Sequence, residues 1–169
     1  EVFETANYSM MIQDYDLAIT CFEYVLSKGF ESREIFNNLG VAYFLQGAKE
    51  AGADAINYIY PIEIDLESKF DDRGAKGWGE AEELFNNALA QFEFALQHDK
   101  NYATAKLNAA CTYSVLKDFE SARFFASKAI SMAKKSKGNN TIKNAKLVQA
   151  IVEDLDPDGD KEKRDKLLD

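Results

Sequence analysis

The sequence predicts an all-α chain assembled from helix pairs that repeat and stack on one another. Small residues return at a fixed interval: Ala6 precedes Gly40, and Ala88 precedes Ala122, each by thirty-four positions. Aromatic residues follow the small ones at helical spacing in each segment. Pro occurs only at 61 and 157, which leaves long helices permitted almost everywhere else. A thirty-four-residue period marks a repeat architecture, because one helix pair cannot bury its apolar face and must share a core with its neighbours.

The elements follow in order. Ala6 marks the first helix, and Tyr15, Ala18, Phe22, Val25 and Leu26 the second. The next pair opens with Phe36, Leu39, Gly40 and Tyr43 and is completed by Ala88, Phe92, Ala95 and Leu96. The third pair has Lys106, Ala109, Ala110 and Tyr113, then Phe119, Ala122, Ala126, Ala129 and Ile130. Gly40, Ala18, Ala88, Ala110 and Ala122 let paired helices approach closely, and Tyr43, Phe22, Phe92 and Tyr113 fill the space beside them. Past residue 138, Ile142, Ala145, Val148, Val152 and Leu155 recur at three- and four-residue steps, giving one more amphipathic helix. Asp156 to Asp169 is almost wholly charged and reads as a fraying tail.

These residues resemble the tetratricopeptide repeat family. Phe36, Leu39, Gly40 and Tyr43 fill the places of its first-helix signature, and the aromatic–small–aromatic pattern those of its second. The resemblance covers most of residues 1–136. It implies a right-handed superhelical stack of antiparallel helix pairs, an α-solenoid, with a C-terminal capping helix. Repeat one then spans about 1–31, repeat two about 33–101, repeat three about 103–136 and the cap about 140–155, all in one domain, 1–155. Lys100 stands where the family's Pro would follow the second helix, and the first repeat lacks its opening Leu-Gly.

The middle repeat is interrupted. Ala6 to Ala18 and Ala110 to Ala122 are twelve apart, whereas Gly40 to Ala88 is forty-eight, so about thirty-six residues are inserted between its helices, within about 48–80. Lys49 to Tyr58 and Glu80 to Phe85 extend the flanking helices. Asp71-Asp72-Arg73-Gly74 and Gly77-Trp78-Gly79 read as turns. Ile62, Ile64 and Leu66 alternate with Glu63, Asp65 and Glu67, an extended segment with one apolar face. That face lies on its own repeat, on a second chain or on a partner, with Tyr60, Ile62, Ile64, Leu66 and Trp78 as contact candidates. Tyr60-Pro61-Ile62-Glu63-Ile64-Asp65 resembles inserts in repeat regions attached to larger bacterial proteins, some with peptidase domains.

Composition narrows the function. The net charge is −9, which opposes binding to phosphate backbones or anionic membrane surfaces. No apolar run is long enough to span a bilayer. Cys21 and Cys111 lie within helical apolar patterns without metal spacing and read as small buried hydrophobes. His98 ends a helix, where capping competes with a nucleophilic pair that has no second base or oxyanion loop. The Gly-rich stretch 73–79 lacks a following Lys-Ser/Thr, and no HExxH occurs. The chain therefore reads as non-catalytic and without a cofactor. It begins with Glu and reads as a soluble part of a longer protein, with no compartment indicated. Asp154, Asp156, Asp158, Gly159, Glu162 and Asp165 fall near the spacing of a helix–loop–helix calcium loop. Lys161 at the aliphatic anchor and Pro157 in the loop oppose it, and a solvated acidic tail accounts for the same residues.

The resemblance also implies a ligand groove along the first helices, lined here by Asn7, Met11, Asn38, Val41, Phe44, Leu45, Asn108 and Val115. The carboxylate clamp of the family's co-chaperones maps onto Phe3, Asn7, Asn38, Thr104 and Asn108: both asparagines are present and all three cations are absent. The asparagine ladder of the O-linked GlcNAc transferase repeats is closer, with Asn38 and Asn108 as rungs and Glu4 in the first repeat. An Asn amide donates and accepts at once, which suits a peptide backbone or a neighbouring helix equally. The expected function is docking of a peptide or protein segment. Assembly of a larger protein through the insert, including self-association, is the alternative.

Overall fold

The computed structural model describes residues 1–52, 60–63 and 78–168. Among them are eight helices and no strand, so the chain is all-α where described. They are α1 (Val2–Met11), α2 (Tyr15–Ser27), α3 (Arg33–Ala51), α4 (Trp78–His98), α5 (Ala103–Val115), α6 (Phe119–Ser136), α7 (Asn139–Leu155) and α8 (Lys161–Leu168). Residues 1–155, read from sequence as one domain, are divided between two compact units. The first holds α1–α4, and the second holds α5–α8 together with residues 60–63.

In the first unit, α3 and α4 pack along their length. Phe36 lies 5.5 Å from Phe94 and Phe44 lies 5.4 Å from Phe85, ring centre to ring centre. Ascending positions on α3 thus meet descending positions on α4, and the two are antiparallel. They approach closely at Gly40, where a Cβ would stand 2.6 Å from the Phe92 ring and 3.1 Å from the Ala88 carbonyl oxygen. A hydrogen in place of a side chain is what lets Phe92 lie there fully buried. Phe22 of α2 is equally buried and meets Phe3 of α1 edge-on at 5.9 Å.

The hairpin turns of the two units share one local design. In the α1–α2 turn, Gln13 takes a φ of 62°, the Asp14 N–H donates to the Ser9 carbonyl, and the Asp14 carboxylate caps α2 through the Leu17 N–H. In the α5–α6 turn, Lys117 takes the same φ, the Asp118 N–H donates to the Tyr113 carbonyl, and Asp118 caps α6 through the Ser121 N–H. One left-handed residue reverses the chain and an Asp side chain satisfies a free N–H of the next helix. Ser32 caps α3 in the same manner through Ile35.

The structure bears on two readings at the insert's edges. Helix α3 ends at Ala51, where Gly52 takes a φ of 79° that a right-handed helix does not continue through, and residues 53–58, read as its extension, lie outside the described residues. Trp78 and Gly79, read as turn residues, open α4, and the Trp78 ring packs 5.9 Å from Phe85. Residues 71–74 and Gly77 lie outside the described residues.

The second unit also differs from expectation at its end. Residues 161–168, read as a fraying tail, form α8. Glu153 of α7 is 3% exposed and accepts from both the Nε and Nη2 of Arg123 on α6, at 3.1 and 3.0 Å. It also accepts from the Asp160 N–H at 3.0 Å and from the Lys163 ammonium. One buried carboxylate therefore fastens α6, α7 and the start of α8, and Asp160 caps α8 through the Lys163 N–H. Composition alone misreads this segment, since it registers the charges and not their partners. Arg123–Glu153 and Ser127–Gln149 also fix α6 and α7 as antiparallel.

Candidate functional site

Helix α5 carries the site. Its residues Ala105, Leu107–Cys111, Thr112, Ser114 and Val115 are buried, so it is enclosed on most sides and its polar side chains need internal partners. Asn108 is fully buried and finds its partner in the insert. Its Oδ1 accepts from the Glu63 N–H at 2.7 Å, and its Nδ2 donates to the Glu63 carbonyl at 2.6 Å. In extended backbone the N–H and C=O of one residue point to the same side, and a primary amide offers the matching acceptor and donor. One side chain thus does what a neighbouring strand residue would do.

Among the described residues, two threonine hydroxyls and an asparagine amide donate to the Glu63 carboxylate. Thr141 Oγ1 and Asn144 Nδ2, one turn apart on α7, donate at 3.0 and 2.9 Å, and Thr104 Oγ1 of α5 lies at 3.4 Å. At the other end of the segment, Tyr60 is buried and its hydroxyl meets Ser114 Oγ at 3.1 Å. Pro61 sets the shape between them. The Ile62 N–H returns to the Tyr60 carbonyl at 2.9 Å, a three-residue turn centred on the proline, whose ring holds φ near the value that turn needs. Burial and then the Glu63 charge push the Cys111 thiol well above its usual range, which favours its protonated form.

The residues expected from sequence divide sharply. Asn108 meets the insert, with Tyr60 beside it, whereas Asn38 bonds within the first unit. Asn38 Nδ2 donates to Asn7 Oδ1 at 3.2 Å, and its Oδ1 accepts from Asn37. Asn38 thus bonds to side chains of α1 and α3, whereas Asn108 holds a backbone residue of the chain itself. Val41, Phe44, Leu45 and Val115 are buried core, and Met11 is half-exposed. Ile62 is partly covered, Trp78 is partly buried against Phe85 of its own helix α4, and Ile64 and Leu66 lie outside the described residues. Within residues 60–63 these contacts come from the Tyr60 hydroxyl and from the backbone and carboxylate of Glu63.

Glu63, Ser114, Thr141 and Asn144 were not marked by sequence as site residues. Thr104 entered only as a clamp position lacking its cation, although it stands one turn before Asn108. Thr141 and Asn144 carry no local signal beyond a shared helix face. Three of the acidic residues near calcium-loop spacing are turned to cations of the chain: Asp154 and Asp165 to Arg164, and Asp156 to Arg123. Among the described residues no three His, Cys, Asp or Glu side chains converge as a metal site requires. His98 lies 3.6 Å from Glu31 and 5.1 Å from the Phe36 ring.

No protein-family model matches the chain, and a search of curated proteins finds no significant relative. Among the described residues no helix is long and apolar enough to cross a membrane.

Proposed function

We infer that the chain is a tetratricopeptide-type stack, a right-handed superhelix of helix pairs closed by α7, and that it works as a non-catalytic module that holds extended polypeptide. The observation that carries this reading is the pair of hydrogen bonds from the Asn108 amide to one backbone residue, Glu63. Such a contact recognises main chain whatever its sequence, and it lies at a ladder position of the repeat frame. The close approach at Gly40 and the matching α1–α2 and α5–α6 turns agree with that frame.

A peptide array probed with the full chain tests the reading. Bound peptides are expected to weaken by roughly tenfold or more with the Asn108→Ala variant, the loss anticipated when two backbone hydrogen bonds disappear. Binding that survives this change in a folded variant refutes the groove assignment. A second reading, assembly within a larger protein, is favoured by the same residues in another way: the chain's own insert already occupies the amide. Under that reading the array stays blank.

A further inference from the structure

The contacts around residues 60–63 select side chains as well as backbone. We propose that Thr104, Asn108, Ser114, Thr141 and Asn144 form a receptor for a short segment that turns at its second residue and bears a phenol and, three residues later, a carboxylate. In this conformation Tyr60–Glu63 fills the receptor in cis, and a partner polypeptide of the same chemistry exchanges with it. This inference rests on the docking reading above and adds its specificity and its occupant.

Each position of the segment has its own counterpart. The phenol is buried with its hydroxyl on Ser114 Oγ, so a Phe would leave that serine without this partner. The backbone of the fourth residue is held by Asn108 at both ends of its amide. The carboxylate receives Thr141 and Asn144 from α7 and Thr104 from α5. A carboxylate accepts at all of its lone pairs, whereas a Gln must turn an NH2 toward one of these donors. Hydroxyl and amide donors therefore prefer Glu to Gln by geometry and by charge-assisted bonding.

The cis occupant makes the site a competitive one. A tethered segment is present at an effective concentration on the order of millimolar, so a free peptide meets a receptor that is open only part of the time. Its apparent affinity falls by that open fraction. Weakening the cis segment raises affinity for a partner without altering any receptor residue.

The test uses the full chain and a fluorescent acetyl-Tyr-Pro-Ile-Glu-amide peptide, followed by fluorescence polarisation. The Tyr60→Ala/Glu63→Ala variant is expected to bind the peptide at least about tenfold more tightly than the parent. Adding Asn108→Ala is expected to abolish that gain. A peptide ending in Gln is expected to bind about tenfold more weakly than the Glu peptide, the worth of one to two charge-assisted hydrogen bonds. The Thr141→Val/Asn144→Ala change, which leaves α5 intact, should erase the Glu-over-Gln preference while retaining binding. Circular dichroism on each variant establishes that helix content is kept.

Equal affinity of the parent and the Tyr60→Ala/Glu63→Ala variant overturns cis competition. Equal affinity for Glu and Gln peptides overturns the carboxylate receptor. An Ala-Pro-Ile-Ala peptide that binds as tightly, and in an Asn108-dependent way, sinks this inference while the docking reading stands. Failure of every peptide to bind folded protein removes both.

Discussion

Phe92→Ala is expected to destabilise the first unit by about 3–5 kcal/mol, because a fully buried ring is replaced by a cavity between α3 and α4. Gly40→Ala is expected to cost about 1–3 kcal/mol in the parent, since the added carbon meets that ring at 2.6 and 2.8 Å. The two changes are not independent. Once Phe92 is Ala, the carbon at position 40 enters space the ring vacated, and helix propensity favours Ala over Gly by about 1 kcal/mol. Gly40→Ala should then be neutral or stabilising. Chemical denaturation of the four proteins, followed by circular dichroism, reads the coupling directly. Additive losses would mean that the Ala88 carbonyl, 3.1 Å from the added carbon, sets the limit instead of the ring.

Loss of the Glu153 carboxylate is the second large effect. Hydrogen bonds from Arg123, opposed by burial and aided by Lys163 and the Asp160 N–H, hold its pKa at about 2 against an ordinary 4.5. With its side chain 3% exposed, the shift corresponds to about 3 kcal/mol of stability, to order of magnitude. The folded pKa lies below the unfolded one. The contribution is therefore complete above the unfolded value of 4.5 and disappears as pH falls through about 2. Glu153→Gln should destabilise the second unit by roughly 3 kcal/mol near neutrality, and the gap from the parent should close near pH 2. Urea unfolding across that range measures it. A gap that stays constant with pH would assign Glu153 a packing role alone. Proteolysis should also cut the variant first within α8, whose start is fastened to this carboxylate.

Much of the fold was legible because its causes are local. Helices came from small and aromatic residues at fixed intervals, whereas the caps at Asp14, Ser32 and Asp118 emerge only in the structure. Gly40 was legible as a place of close approach, since the recurrence of small residues signals it without any knowledge of the partner. The tail was not legible. Its charges look solvated until Arg123, thirty residues before Glu153, is brought beside it. The insert was legible as an interruption, but its alternation pointed to the apolar face and away from Glu63.

The site separates the two kinds of information most clearly. Asn38 and Asn108 occupy the same place in the repeat pattern, so the sequence by itself placed on each helix an amide able to donate and accept at once, and the structure buries both. It could not say to what. Asn38 meets Asn7, thirty-one residues away, and Asn108 meets Glu63, forty-five residues away. An amide satisfies its two bonds with whichever polar group burial leaves within about 3 Å. Only the tertiary structure decided that one of them braces a helix and the other holds a stretch of backbone.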